Sequence, residues 1–281
     1  MPRIDLHSHT TYSDGSHSPE EVVQFAHDAG VTALAITDHD TVEGLPEGIV
    51  ASERVGIEIV PGIELSSRYE GRDTHILGYF FDWQDPTLQA RLTEQRASRD
   101  QRNPRVIEKL NQLGLDLTYE EVKAKAGAGS VGRPHIAQIL VDKGYVTSTK
   151  DAFDQYLADG ASAYVERESP ETSEAITWIR EAGGVPVLAH PHWTKRKGPE
   201  LVEMCSALKE AGLMGIEVFY STHTKRQTSE YLELARKLDL LMTGGSDFHG
   251  DAKPGIYVGR GKGDLKVTDK LLEPLRKGSR I

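Results

Sequence analysis

Residues 1–12 read MPRIDLHSHTTY, and this stretch contains the pattern that decides the fold. Residues 3–6 are predicted to form a short strand, and His7 and His9 follow it two positions apart. On a strand, residues at i and i+2 point to the same side, so both imidazoles are expected to face one site. With Asp5 and Asp14 close by, the pair predicts one half of a divalent-metal site.

Further side chains with metal-binding chemistry occur at the ends of later apolar runs. These runs lie at residues 32–37, 57–60, 185–189 and 240–243, and a further run at residues 74–81 carries His75. Most of them are separated by helical patterns, which predicts parallel strands joined by right-handed crossovers. In such α/β folds the carboxyl ends of the strands meet on one side, where barrel and open-sheet enzymes place their chemistry.

The pattern of the sequence changes after Asp85. Residues 86–114 are charged and helical in pattern, and Pro104 is expected to break or kink this helix. No strand pattern is evident between about residues 95 and 164. The predicted organisation is a metal-binding α/β domain formed by residues 1–94 and 165–281, with a helical insertion at residues 95–164 that contributes to the substrate pocket.

Composition limits the classes of function. The chain has 281 residues and a net charge of −10, which argues against broad, nonspecific nucleic-acid binding. An anionic substrate is still compatible, because bound divalent ions can reverse the local charge of a pocket. The single cysteine, Cys205, fits a reducing cytoplasm, and the sequence shows neither an apolar run of ~20 residues nor an apolar signal segment. A cytoplasmic location without membrane association is expected, and no obligate protein partner is indicated.

The candidate ligand set combines six imidazoles with three carboxylates and contains no thiolate. Its members are His7, His9, Asp14, His39, Glu64, His75, His190, Asp247 and His249. This mixed set favours Mn²⁺, with Fe²⁺ or Zn²⁺ as alternatives, over Ca²⁺ or Mg²⁺. Nine ligands are too many for one ion, so two to three divalent ions are expected, with Glu64 able to bridge them. No organic cofactor is needed and no nucleophile motif is found, which predicts a metal-bridging hydroxide as the attacking group.

The motifs DLHSHTTYSDG, ITDHD, PGIE, AHP and GGSDFH, together with the strand that carries His75, resemble those of the polymerase-and-histidinol-phosphatase (PHP) family. The resemblance implies a distorted (β/α)7 barrel that holds three metal ions. It implies ligands for the first ion at His7, His9, Glu64 and Asp247, for the second at Glu64, His75 and His190, and for the third at Asp14, His39 and His249.

Within this family the chain is similar to bacterial phosphoesterases that hydrolyse nucleoside 3′,5′-bisphosphates to 5′-monophosphates, and to related 5′-to-3′ exoribonucleases that trim short RNA. The similarity includes the helical insertion and its Gly132-Arg133-Pro134-His135 segment. Pro134 fits the first turn of a helix, whose N-terminus attracts phosphate, and an arginine there can bind phosphate bidentately. Ser130, Arg133 and His135 are therefore candidate phosphate-binding residues. The alternative is that Arg133 pairs with a surface carboxylate and His135 packs.

His192 and His223 follow strand ends but exceed the ligand count. Either is a candidate for protonating the leaving oxygen or for binding phosphate, with metal-bound water as the alternative acid and a structural role as the alternative function. Basic residues on the same rim, including Lys195 and Lys197, are expected to be solvated or to steer anions.

The expected substrate is a nucleotide with two phosphates, with short RNA as a variant. Three competing functions are a phosphatase for histidinol phosphate or another small ester, a non-catalytic metal-binding module, and a C–N hydrolase. The C–N hydrolase is disfavoured because such enzymes often bridge their metals with a modified lysine, whereas Glu64 stands at the bridging position here.

Overall fold

In the described residues, seven strands form one sheet in the order β1 to β7, so each strand neighbours its successor in the sequence. They are β1 (Arg3–Asp5), β2 (Val31–Ile36), β3 (Glu58–Tyr69), β4 (Arg72–Tyr79), β5 (Val185–Leu188), β6 (Gly215–Tyr220) and β7 (Leu241–Gly245). The computed structural model describes residues 2–127 and 129–281. Met1 and Ala128, which the predicted domain ranges include, lie outside the described residues.

Backbone hydrogen bonds connect the first and last strands. The Leu6 N–H donates to the Gly244 carbonyl (3.1 Å), and the Asp247 N–H donates to the His7 carbonyl (2.8 Å). The carboxyl ends of β1 and β7 are therefore neighbours, although they are far apart in the sequence. The predicted fold class, an α/β fold of the distorted (β/α)7 barrel type with inserted helices, is confirmed.

Helices pack on the outside of the sheet and also form the insertion between β4 and β5. They are α1 (Pro19–Asp28), α2 (Leu45–Val55), α3 (Pro86–Gln112), α4 (Tyr119–Ala126), α5 (Arg133–Asp142), α6 (Thr149–Ala152), α7 (Thr172–Glu181), α8 (Pro199–Glu210), α9 (Lys225–Lys237) and α10 (Leu272–Gly278). Strand β2 shows how the layers form, because alternate residues of a strand face opposite sides. Leu34 and Ile36 join the core that also includes α1 and α2, whereas Ala33 and Ala35 belong to a second core in the barrel interior. None of the helices in the described chain is long and apolar enough to span a bilayer.

The predicted parallel arrangement is wrong at β4, which is antiparallel to both β3 and β5. The reason is the two-residue turn at Glu70 and Gly71, which have φ angles of 48° and 75° and leave no room for a crossover helix. The predicted strand end at residue 60 is also wrong, because β3 changes its partner from β2 to β4 at Gly62 and continues. Glu64 therefore lies inside a strand.

The predicted break at Pro104 is not found, because α3 continues through this residue. Both halves of α3 are anchored by packing, which overrides the local preference of proline. Leu88 and Leu92 join the main core, whereas Val106 and Leu110 join a separate core formed with α4, α5 and α6. The described residues between β4 and β5 contain no strand. The exact domain boundaries stay a prediction, and the one at residue 95 falls within α3.

Candidate metal centre

Glu64 lies at the centre of the candidate ligand cluster. One of its carboxylate oxygens, Oε2, is 3.2 Å from His7 Nε2 and 3.2 Å from His9 Nε2. The other, Oε1, is 2.9 Å from His75 Nδ1 and 2.8 Å from His190 Nε2. The two oxygens thus face two different pairs of imidazoles, which is the geometry that a bridging carboxylate requires.

The other two carboxylates of the cluster lie on either side of Glu64. Asp247 Oδ1 is 3.5 Å from His7 Nε2 and 3.3 Å from His9 Nε2. Asp14 lies 3.4 Å from His249 Nε2 through Oδ1 and 3.7 Å from His39 Nε2 through Oδ2. All nine candidate ligands are therefore brought together at the carboxyl ends of the strands and in the β3–β4 hairpin.

The cluster meets the chemical requirements of a divalent-metal site. Groups of three or four of these side chains have ligand atoms that all lie within 4.8 Å of one another. His9 Nε2, Asp14 Oδ1 and His39 Nδ1 are buried and lack a hydrogen-bond partner in the described residues. Buried polar atoms are normally satisfied, so these three atoms indicate a missing partner. The nitrogen and oxygen donors fit divalent transition metals.

Two imidazoles of the cluster, His39 and His190, are neutral near pH 7, which is the form that binds a metal. Burial lowers the pKa of His39 to about 3 and that of His190 to about 4. His7 and His9 differ, because burial alone would lower their pKa values but the nearby carboxylates raise that of His7 well above its usual value and that of His9 to about 9. A cation bound beside these carboxylates would replace those protons.

Two candidate ligands have strained backbones. His190 has a φ angle of 26° and Asp247 one of 56°, a region that residues with a side chain rarely adopt. Strain of this kind persists only where the surrounding contacts fix the conformation, and it concentrates at functional sites.

Glu217 on β6 is a supporting residue that sequence reasoning missed. Its Oε1 lies 2.9 Å from His7 Nδ1, and its Oε2 accepts a 2.8 Å hydrogen bond from the His190 N–H. The side chain is completely buried. A partner on Nδ1 leaves Nε2 of His7 directed at Glu64, so Glu217 orients one ligand and fixes the backbone of another. The only signal in the sequence is an acidic residue within the otherwise apolar strand GIEVFY.

The cluster opens into a cavity of about 520 Å³. Its lining includes Glu64, His75 and Asp247 at one end, which we call the metal end, and four arginines at the other, which we call the arginine end. The arginine end consists of Arg99, Arg102, Arg133 and Arg167. The barrel supplies the metal end, whereas α3, α5 and the segment before α7 supply the arginines.

Two carboxylates partly neutralise the arginine end. Asp40 Oδ2 accepts hydrogen bonds from Arg99 Nε (3.0 Å) and Nη2 (2.6 Å), and from Arg167 Nη1 (3.2 Å). Asp73 Oδ2 accepts a 2.6 Å bond from Arg133 Nη2. With four guanidinium groups and two carboxylates, the local charge is +4 − 2 = +2.

Among the described ion pairs, Arg102 is the arginine of this end that has no carboxylate partner. It is 6% exposed, and its Nε and Nη2 donate to the neutral amide oxygen of Asn103 (3.2 and 2.7 Å). Burial and the three neighbouring arginines lower the pKa of Arg102 to about 8. A buried guanidinium without a carboxylate is costly, and an anionic ligand would remove that cost.

Comparison with known proteins identifies the family of this site. The PHP domain matches residues 5–166, which is more than half of the chain. The chain belongs to the PHP domain family.

Several of its relatives are similar over almost their whole length. A 5′-3′ exoribonuclease of Haemophilus influenzae is 39% identical over 96% of this chain and 97% of its own. A 3′,5′-nucleoside bisphosphate phosphatase of Chromobacterium violaceum is 33% identical over 92% of this chain and 91% of its own. The crystal structure of a Bifidobacterium adolescentis protein, provisionally described as a metal-dependent phosphoesterase, superimposes with a TM-score of 0.89 at 32% identity, covering all of this chain and 97% of its own. The family and these relatives support a metal-dependent phosphoesterase.

The ligand sets implied by the PHP resemblance agree with the geometry but stay a prediction as metal ligands. Glu64 is shared between the imidazoles of the first and second sets. In the third group, His9 joins Asp14, His39 and His249.

Of the three predicted phosphate-binding residues, Arg133 lies in the lining of the cavity and the other two do not. Arg133 lines the cavity, where it binds Asp73. His135 is buried, and its Nδ1 accepts a 3.0 Å bond from the Gly132 N–H. Ser130 is bound through its backbone to the Tyr12 carbonyl (3.2 Å). Neither Ser130 nor His135 is among the described residues that line the cavity.

His192 and His223 form a pair outside the lining of the cavity. His223 Nε2 and His192 Nδ1 are 3.0 Å apart, and His223 Nδ1 donates to the Val218 carbonyl (2.9 Å). Burial lowers the pKa of His192 to about 3 and that of His223 to about 4, so both imidazoles are neutral near pH 7. Their predicted roles in proton donation and substrate binding stay predictions.

Proposed function

We propose that this protein is a metal-dependent phosphatase that removes the 3′-phosphate of nucleoside 3′,5′-bisphosphates, such as adenosine 3′,5′-bisphosphate, and also cleaves short 5′-phosphorylated RNA. The observation that carries the proposal is that one cavity joins the metal end to an arginine end with a charge of +2. A substrate with two phosphates fits such a cavity, because one phosphate can react while the other is held.

The reaction breaks the bond between phosphorus and the 3′-oxygen. A water oxygen bonds to phosphorus, and the 3′-oxygen leaves with the nucleoside and takes up a proton. The nine residues of the cluster would hold two to three divalent ions, with Mn²⁺ first and Fe²⁺ or Zn²⁺ as alternatives. Bound there, such ions supply Lewis-acid activation of water and of the phosphoryl oxygens.

The arginine end would hold the 5′-phosphate. Arg102 is the principal candidate, because it has no carboxylate partner among the described ion pairs, whereas Arg99 and Arg167 are engaged by Asp40. A remote phosphate bound in this way lowers the barrier as well as KM, because binding energy away from the reacting atoms can be used in the transition state.

The same charge distinguishes between candidate substrates. Histidinol phosphate carries a protonated amine, which an environment of charge +2 disfavours. Nucleoside bisphosphates carry a second anion instead. The proposed location is the cytoplasm, which the single, buried Cys205 fits.

A panel of phosphate esters tests the proposal. Phosphate release is measured with a nucleoside 3′,5′-bisphosphate, the matching 3′-monophosphate and 5′-monophosphate, and histidinol phosphate. The bisphosphate is expected to give a kcat/KM at least about tenfold above that of the 3′-monophosphate, since charge-assisted bonds to the second phosphate contribute about 1.5–3 kcal/mol. Chelation should abolish turnover, and added Mn²⁺ should restore it. Equal rates on histidinol phosphate and the bisphosphate would contradict the proposal.

A further inference from the structure

Aromatic side chains line the cavity at both of its ends. Phe153 and Tyr164 flank the arginine end, where each ring centroid is 5.9 Å from Arg133 Cζ. Trp193 lies at the metal end, and its ring centroid is 4.2 Å from that of His190. Trp193 is nevertheless 48% exposed, so it presents indole surface to solvent directly beside the candidate ligands.

The chemistry of the reaction defines what must lie next to the metal end. A nucleoside 3′,5′-bisphosphate and a 5′-phosphorylated RNA lose the same phosphorus–O3′ bond. The two substrates differ only in what the scissile phosphate carries on its other side, which is nothing in the bisphosphate and a second nucleoside in RNA. A group that binds this second nucleoside must therefore lie beside the cluster and away from the arginine end.

We infer that Trp193 is the stacking platform for the second nucleotide of a 5′-phosphorylated RNA. This inference rests on the proposed function, because it places the scissile phosphate at the cluster and the 5′-phosphate at the arginine end. An indole stacks on the face of any base, so the platform accepts RNA of any sequence. Lys253, which contacts Asp247, has its Nζ 5.4 Å from the Trp193 ring centroid and adds positive charge at this position.

The segment that follows Trp193 suits the rest of an RNA strand. Lys195 and Lys197 are exposed, whereas Arg196 between them contacts the Glu70 carboxylate. Exposed lysines beside a stacking platform attract the phosphates of a single strand. The overall charge of −10 restricts such attraction to local patches of this kind.

Kinetics on two matched substrates test the inference. The substrates are a nucleoside 3′,5′-bisphosphate and a 5′-phosphorylated dinucleotide with the same first base. Trp193→Ala should lower kcat/KM for the dinucleotide by about tenfold or more while leaving the bisphosphate within about twofold, since stacking on an aromatic side chain contributes about 1–3 kcal/mol per base. Trp193→Phe should retain most of the dinucleotide activity. Tyr257→Ala, which removes a 61% exposed aromatic ring outside the cavity lining, is the matched control and should change neither rate.

A second measurement leaves the protein unaltered. The wild-type protein is given a dinucleotide whose second nucleotide lacks its base, and this change should cost about the same factor as Trp193→Ala. Equal losses on both substrates in Trp193→Ala would overturn the inference, because Trp193 would then support His190 or the first base. Equal rates on intact and abasic dinucleotides would also overturn it. If the wild-type protein hydrolyses neither the bisphosphate nor the dinucleotide, the proposed function itself fails.

Discussion

The two ends of the cavity are built in opposite ways. The metal end consists of buried imidazoles and carboxylates that follow or lie within barrel strands, and these are the donor types that bind divalent cations. The arginine end is assembled from α3, α5 and the segment before α7, and it has a charge of +2. An anionic substrate can therefore be held by the arginines at one end and by bound cations at the other. Substitutions at each end of the cavity test this separation of roles.

Removal of the bridging carboxylate should have the largest effect. Glu64→Ala removes the one group that contacts imidazoles on both sides of the cluster. We expect kcat to fall by at least about 10³-fold, since the activation that such a centre supplies amounts to several kcal/mol. Phosphate release and the metal content after dialysis measure the effect. The control is Glu70→Ala, which removes an exposed carboxylate in the turn between β3 and β4. Activity in Glu64→Ala within about tenfold of wild type would contradict the assignment.

The largest effect on folding is expected at the arginine end. Burial alone would raise the pKa of Asp40. The guanidinium groups of Arg99 and Arg167 nevertheless hold this pKa well below its usual value of 3.8. Ionised Asp40 therefore stabilises the fold above about pH 4, and this contribution is lost as the pH falls further. Asp40→Asn should lower the free energy of unfolding by about 3–5 kcal/mol near neutral pH, because two buried guanidinium groups lose their carboxylate.

Urea unfolding of wild type and Asp40→Asn across pH measures this contribution. The difference between the two proteins should shrink as the pH falls below about 4, because Asp40 takes up a proton there in the unfolded chain while it stays ionised in the folded protein. A difference that does not depend on pH would show that the ion pairs of Asp40 are not its source.

Substitution of Arg102 should separate binding from folding. Arg102→Met removes a buried charge without a carboxylate partner, so stability should be unchanged or higher. The kcat/KM for a bisphosphate should fall about 10- to 100-fold, the value of lost bonds to a charged group, while a 3′-monophosphate should be nearly unaffected. Arg105→Met, an exposed arginine on the same helix, is the control. Equal losses on both substrates would remove Arg102 from the phosphate site.

The smallest of these effects is expected at Glu217, which contacts the candidate metal ligands His7 and His190. Glu217 accepts from two donors, and the single oxygen of Gln can satisfy only one of them. Glu217→Gln should weaken metal affinity about 10- to 100-fold, whereas kcat should recover at saturating Mn²⁺. Titration of the chelated protein with Mn²⁺, followed by assay, measures both quantities. An unchanged affinity would show that Glu217 does not orient the ligands.

The difference between the metal end and the arginine end also explains which features can be predicted from the sequence alone. The candidate ligands are visible because each lies in a short local motif, and Glu64 is recognisable as the bridging group before its contacts are known. Arg102 is not visible, because an arginine in a long charged helix is normally solvated, and its burial depends on how α3 meets the insertion. The reversal at β4 depends on a two-residue turn that lies within a longer apolar pattern. Glu217 is hidden because its partners are 210 and 27 positions away.

The most direct test of this separation of roles is to identify which phosphate is removed. ³¹P NMR can follow the products when the Mn²⁺-loaded protein acts on adenosine 3′,5′-bisphosphate. If the arginine end holds the 5′-phosphate while the metal end acts on the 3′-phosphate, only adenosine 5′-monophosphate and inorganic phosphate should appear. Accumulation of adenosine 3′-monophosphate, or a mixture of both monophosphates, would contradict this account.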